Sequence, residues 1–207
     1  TVIISTGATA KLLGLDSEKK LMGYGVSACA TCDAFFFKDK NVYVVGGGDS
    51  AMEEATFLTK FASSVTIVHR RDAFRASKIM QDKVFKNDKI DILWNSEVID
   101  MLGDPSDKGL ESIIVKDTIT NKQKQINCDG LFLGIGHKPN SDIFVDKLKL
   151  DPSGYILTQN NSTQTSIPGV FAAGDIMDPV YRQAITAAGS GCMAALDAEK
   201  YIENLHV

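Results

Sequence analysis

Apolar residues fall in short, unbroken runs separated by polar stretches and glycines. Runs at residues 1–5, 42–45, 65–68, 130–136 and 169–173 are apolar almost throughout, which predicts parallel strands covered on both faces. A further β-branched run predicts a strand at 90–94. Between these runs the spacing predicts helices over 50–61, 77–85 and 183–203, the first with Asp49 or Ser50 as N-cap. The strand, helix and strand over 42–68 occupy 27 residues, close to the roughly 30 of a βαβ unit. Residues 97–128 differ. Three runs, broken by turns at 103–105 and 120–122, predict an antiparallel meander. Residues 6–9 read as a turn, 11–25 as a glycine-punctuated loop, and 137–140 as a polar break and domain boundary. The strand at residues 1–5 is already under way at the first residue, so the chain reads as a fragment of a longer protein. That strand needs a partner, expected near the other end. Gly189 and Gly191 lie inside the last predicted helix, where each costs about 1 kcal/mol. They point to close packing against another backbone or a flat ligand.

Composition narrows the class. At 207 residues and 44% hydrophobic, the chain can build a core in one large domain or two small ones. A net charge of −4 argues against nucleic acid as the main partner. No apolar run approaches the roughly 18 residues of a membrane span. The four cysteines, at 29, 32, 128 and 192, form one close pair and two singles. That is the usage of a reducing compartment, here the cytoplasm. Cys128 and Cys192 are expected to be buried, inert thiols. With no second Cys-x-x-Cys and no matching His pair, no metal site is expected.

The chemistry concentrates at Cys29-Ala30-Thr31-Cys32-Asp33. Two thiols three positions apart can close and reopen a disulfide, and local structure can lower one thiol pKa well below about 8.5. Asp33 is placed to carry the proton that each half of the exchange needs. Shortly after comes Gly46-x-Gly48-x-x-Ala51, between a predicted strand and a predicted helix. Glycines let the backbone turn and approach a pyrophosphate, the small third position lets helix and strand pack, and helix amides face the phosphates. The cofactor-binding candidates here are Gly46, Gly48, Asp49, Ser50 and Ala51. At the end of the next strand an NAD site would place a carboxylate. This chain has His69-Arg70-Arg71 and then Arg75, beginning 21 residues past Gly48. Guanidinium groups suit a 2′-phosphate, so the expected nucleotide is NADPH. A nicotinamide hydride and a disulfide need a flavin between them, and residues 1–136 hold no second phosphate turn.

These motifs, in this order, resemble the low-molecular-weight thioredoxin reductases. The resemblance continues through Ile135-Gly136-His137-Lys138-Pro139-Asn140, Val170-Phe171-Ala172-Ala173-Gly174-Asp175 and Arg182-Gln183-Ala184-Ile185-Thr186-Ala187-Ala188-Gly189-Ser190-Gly191-Cys192. It implies an α/β fold of two Rossmann-like three-layer domains, with an NADPH domain inserted into an FAD domain that is incomplete at its N-terminus. Residues 1–10 and 138–207 would belong to the FAD domain, and 11–137 to the NADPH domain. The domains would rotate about hinges near residues 8–12 and 136–140. Electrons would pass from NADPH through FAD and the Cys29/Cys32 disulfide to thioredoxin. Cys32 would face the flavin, Cys29 would attack thioredoxin, and Asp33 would carry the proton. FAD would lie against Thr6, Gly7, Gly174, Asp175, Arg182, Gln183 and Ala184. The resemblance also implies a homodimer in the whole protein. Two alternatives stay open: a related flavin disulfide reductase with another acceptor, and a nucleotide-binding module without turnover.

Overall fold

Two compact units make up the chain in the computed structural model. One comprises Thr1–Thr9 together with the chain from His137 onward; the other is Ala10–Gly136. The structure describes residues 1–159 and 162–205, and no candidate site residue lies outside them. The chain opens with β1 (Val2–Ile4) and β2 (Ala8–Ala10).

In the unit Ala10–Gly136 the elements are α1 (Asp16–Leu21), β3 (Val26–Ser27), α2 (Ala30–Asp33), β4 (Asn41–Val45), α3 (Asp49–Leu58), β5 (Ser64–Val68), α4 (Lys78–Phe85) and β6 (Ile90–Leu93), followed by β7 (Ser96–Asp104), β8 (Gly109–Asp117), β9 (Gln123–Asn127) and β10 (Gly130–Leu133). Five strands form a parallel sheet in the order β3-β10-β4-β5-β6. Its alternate residues feed two cores, which is why the strands read as continuous apolar runs. Val42, Val44, Val65, Ile67 and Phe132 pack with Ala51, Met52, Ala55 and Leu58 of α3. Val45, Val68, Leu131 and Leu133 pack on the other face with Val98, Met101, Leu110, Ile113 and Val115. Those last five belong to the antiparallel meander β7-β8-β9. The layers are therefore helices, parallel sheet and meander. Each wholly buried aliphatic side chain contributes about 1.5–3 kcal/mol.

The other unit adds β11 (His137–Pro139), β12 (Val170–Ala172) and α5 (Ala184–Asn204). β1 pairs with β12 in parallel, with Val2, Ile3 and Ile4 opposite Val170, Phe171 and Ala172. The opening strand thus finds its partner far along the chain. Ile4, Leu148, Ile156, Ala172 and Ile176 form one core, and Phe171, Ala173, Ala194 and Ala198 another.

Several expectations need correction. Residues 11–25 are not all loop, because they contain α1. The turn at 6–9 overlaps β2 and the break at 137–140 contains β11, and these two strands pair with each other. α3 is capped by Gly48, with no side-chain cap from Asp49 or Ser50. Cys192 is exposed on α5, while Cys128 is buried as expected. Gly189 and Gly191 do not pack against another backbone: among the described residues, beyond their chain neighbours and the nearby backbone of α5, no atom lies within 4 Å of where their Cβ atoms would stand.

Candidate functional site

The glycine turn shows why each of its positions is small. Gly46 has φ +149°, and a Cβ there would collide with the Gly134 carbonyl and with Ala51. Gly134 would likewise meet the Ala51 backbone. The ends of β4 and β10 therefore close onto the first turn of α3, and Ala51 is the contact. Gly48 by contrast faces open space. The first amides of α3 have no acceptor within the helix, the situation that suits helix starts to anions.

A cavity of about 710 Å³ lies here. Its lining includes Gly46, Gly47, Gly48 and Ser50 of the turn, His69, Arg70 and Arg75 beyond β5, and Lys11, Leu12 and Leu13. Val45, Val68, Ser96, Glu97, Val98, Gly134, Ile135 and Gly136 complete it. Of the nucleotide candidates, Asp49, Ala51 and Arg71 do not line it. Asp49 has a different task. Its Oδ1 accepts hydrogen bonds from Ser77 N and Ser77 Oγ, each at 2.8 Å. Arg75 N and Ala76 N donate to Gly47 O at 2.8 and 3.2 Å. The arginine-bearing loop is thus strapped to the glycine turn, which places Arg75 at the cavity. Arg71 O accepts from Asn95 N at 3.2 Å.

His69 is buried beneath this turn, 5% exposed, among Gly47, Phe74 and Trp94. Its Nε2 lies 3.0 Å from Ala73 O, which can only accept, so the proton sits on Nε2. Burial pulls its pKa below the ordinary value, outweighing the backbone hydrogen bonds that favour the charged ring.

Cys29 and Cys32 form a disulfide with Cα atoms 5.3 Å apart. Cys29 is the N-cap of α2, and its Sγ accepts the Cys32 amide at 3.2 Å. Ser27, at the end of β3, is 5% exposed. Its hydroxyl donates to Asp33 Oδ2 at 2.6 Å and accepts from Cys29 N at 3.0 Å. One hydroxyl therefore links the first cysteine to the acid that follows the second. Sequence reasoning missed Ser27; its position two residues before Cys29 was the available signal. Cys32 is exposed and Cys29 half-buried. Phe35 and Phe36 just beyond are each 69% exposed.

The flavin candidates lie in the other unit. Asn140 ties the end of β1 in place: its Nδ2 donates to Thr6 O at 2.8 Å, and Thr6 Oγ1 donates to Asn140 O at 2.9 Å. Gly7 (φ +72°) and Gly174 (φ +78°) both use the left-handed region. Gly174 N donates to Ser190 Oγ of α5 at 2.9 Å, and Asp175 follows in a short 3-10 turn. Arg182 N donates to Asp178 Oδ2 at 2.9 Å, and Gln183 caps α5 in a reciprocal bond with Thr186. Burial pushes the Asp178 carboxyl up, but amide bonds from Tyr181, Arg182 and Val180 outweigh it and hold it below the usual carboxylate range. Gly174, Asp175, Arg182, Gln183 and Ala184 thus gather around the first turns of α5. Among the described residues no group of three or more His, Cys, Asp or Glu is placed to hold a metal ion, and no helix is long and apolar enough to cross a membrane.

The thioredoxin reductase of Rickettsia conorii is 52% identical over 202 residues, 98% of this chain and 65% of that protein. That of Streptomyces clavuligerus is 54% identical over 204 residues, 99% of this chain and 62% of its own length. Among solved structures, thioredoxin reductase from Streptococcus pyogenes superposes with a TM-score of 0.93 at 42% identity, covering 99% of this chain and 66% of that one. The chain thus spans about 65% of the length of the R. conorii relative, and its fold is the α/β Rossmann-like FAD/NAD(P) fold of these structures. Residues 1–191 match the family model described as pyridine nucleotide-disulphide oxidoreductase, and with the glycine turn and the cysteine pair in place the chain belongs to that family.

Proposed function

We propose that the chain carries the NADPH site and redox dithiol of a flavin-dependent disulfide reductase, which passes electrons from NADPH through FAD and the Cys29–Cys32 disulfide to oxidised thioredoxin. The observation that carries this reading is the Cys29–Cys32 disulfide at the start of α2, in the same unit as a cavity bounded by a glycine turn and two arginines. In this reading residues 11–137 are the NADPH domain. Gly46, Gly48 and Ser50 receive the pyrophosphate, and Arg70 and Arg75 receive the 2′-phosphate. Asp49, Ala51 and His69 hold that frame, and Arg71 adds charge at its rim.

Residues 1–10 and 138–207 are the corresponding part of the FAD domain. Space at Gly7, Gly189 and Gly191, where a Cβ would meet nothing, leaves room for a flat ligand. Thr6, Gly7, Gly174, Asp175, Arg182, Gln183 and Ala184 would hold FAD there. A flavin so bound supplies the two-electron relay between nicotinamide and disulfide.

The chain's own residues do the rest. Two electrons break the S–S bond and leave two thiolates, and one proton converts the Cys32 sulfur to a thiol. Asp33, held by Ser27, is the proposed carrier of that proton. A thiolate at Cys29 is favoured because its sulfur already accepts an amide at a helix start. Cys29 then attacks the thioredoxin disulfide, and the displaced partner sulfur takes up a proton. Cys32, assigned to face the flavin, surrenders its proton to Asp33 and attacks Cys29 Sγ. The original disulfide re-forms, the second thioredoxin sulfur is displaced from Cys29 Sγ as a thiolate and takes the proton held by Asp33, and reduced thioredoxin leaves. Free Cys128 and Cys192 fit a reducing cytoplasm, and the family resemblance carries a homodimer with it.

A single-cysteine thioredoxin, activated as its mixed disulfide with thionitrobenzoate, tests the division of labour. Cys32→Ser should release one equivalent of thionitrobenzoate and form a covalent 1:1 adduct. Cys29→Ser should react no faster than a simple exposed thiol. Equal adduct formation by both variants would end the assignment.

A further inference from the structure

Glu18 is fully buried at 0% exposure, and the chemistry above gives it no task. Among the described residues no salt bridge reaches it. Its Oε1 accepts Leu13 N at 2.8 Å, and its Oε2 accepts Gly14 N at 2.9 Å. An uncompensated buried carboxylate costs several kcal/mol; amide bonds to the charge offset that. Ordinary helix capping does not describe the arrangement. A glutamate at the third helical position normally reaches back to the N-cap amide. Here the N-cap is Leu15, and Glu18 reaches past it to the two residues before.

Those residues belong to the cavity wall. Lys11, Leu12 and Leu13 line it beside the glycine turn. The segment is pinned at its start, where Lys11 N donates to Gly136 O at 2.9 Å, and Gly136 also lines the cavity. It is pinned at its end by Glu18, on a helix whose Leu21 is buried and whose Ser17 Oγ accepts Met101 N of β7 at 3.2 Å. Between the anchors Leu13 and Leu15 pack into the sheet–meander core. Leu12 is left 43% exposed at the cavity. Gly14 has φ +86°, a left-handed conformation that glycine adopts without strain, and the Glu18 bonds hold the turn there.

We propose that Glu18 is a positioning residue for the nucleotide: its carboxylate fixes the backbone of residues 12–14 so that Leu12 and Lys11 meet the ligand without reordering. This rests on reading the cavity as an NADPH site. A preformed wall tightens binding because the ordering cost is met before the ligand arrives. Glu18→Gln keeps the shape but turns one acceptor into a donor facing an N–H.

The test is fluorescence titration of the 207-residue chain with NADPH and with NADH, alongside urea denaturation. Glu18→Gln should raise the NADPH Kd about tenfold and the NADH Kd by the same factor, because the arginines are untouched. An unchanged NADPH Kd with a lowered urea midpoint would mean that Glu18 only supports α1, and would overturn the proposal. Amide exchange of the unmutated chain gives a second reading should the variant not fold. Leu13 and Gly14 should exchange slowly before NADPH is added; fast exchange that slows only with NADPH would also overturn it. If the unmutated chain binds no NADPH, the nucleotide reading fails and takes this inference with it. If the unmutated chain and Glu18→Gln bind equally, only the role of Glu18 fails.

Discussion

His69 ties the unit Ala10–Gly136 to pH. Burial holds its pKa below 6.5, so the native state keeps the ring neutral. The unfolded chain binds the proton more readily at mildly acidic pH. The stability contributed by the neutral ring is therefore complete above about pH 6.5 and is lost progressively as pH falls below that value towards the lower folded-state pKa. Urea midpoints should drop between pH 7 and pH 5.5, and Glu or Asp titration should account for little of it there. His69→Gln should flatten the drop; an unaltered pH slope in that variant would exclude His69 as its source. Among the arginines, only Arg70 and Arg75 line the cavity. Arg75→Ala should weaken NADPH by about ten- to a hundredfold, the range of a charge-assisted hydrogen bond, with NADH changed by less than about threefold. Arg71→Ala should have a smaller effect on NADPH. Equal losses of NADPH and NADH would argue against a 2′-phosphate contact. That Arg70 and Arg75 would lie near the glycine turn was legible from spacing alone. Which of the arginines faces the cavity was not, because that depends on the Asp49–Ser77 bonds across the loop. The habit of cysteine to be buried misled at Cys192, since that habit says nothing about which side of α5 a residue occupies.

At the level of elements, the strap between the α3 start and the loop after β5 is the feature to break. Asp49→Ala removes both acceptor bonds to Ser77. The NADPH Kd should rise about fivefold with a stability loss of about 1–2 kcal/mol. Ser77→Ala, which keeps the amide bond, should show less of each by the same titrations. Gly46→Ala tests the junction itself. Its φ of +149° and the absence of space for a Cβ predict a loss of at least about 2 kcal/mol in urea denaturation. A near-neutral Gly46→Ala would mean that the strand ends and α3 are not closely joined. Long apolar strands and the stripe of α3 were readable because local pattern and burial coincide there. β2 and β11 were not. β11 is His137, Lys138 and Pro139, with no alternation to read, and its place depends on Asn140 bonding back to Thr6 and Thr9. α1 was missed because six residues with a buried glutamate give no amphipathic signal.

For the whole molecule, each unit holds its own cores. Calorimetry should therefore resolve separate contributions, and NADPH should raise only the transition of residues 10–136. At a hundred times its Kd it should add about 2.7 kcal/mol to that unit. A uniform upward shift of all melting would contradict independent units. The nesting of one unit within the other was partly visible in advance, because an apolar strand at residues 1–5 had to find a neighbour elsewhere. Its register against β12 was not visible, since three residues of strand specify no unique alignment by themselves. The parallel pairing of β1 with β12 also bears on how the chain is made. Residue 170 leaves the ribosome roughly ten to thirty seconds after residue 4 at ordinary translation rates. Throughout that interval the unit Ala10–Gly136 can complete its sheet, while the β12 neighbour of β1 is not yet synthesised.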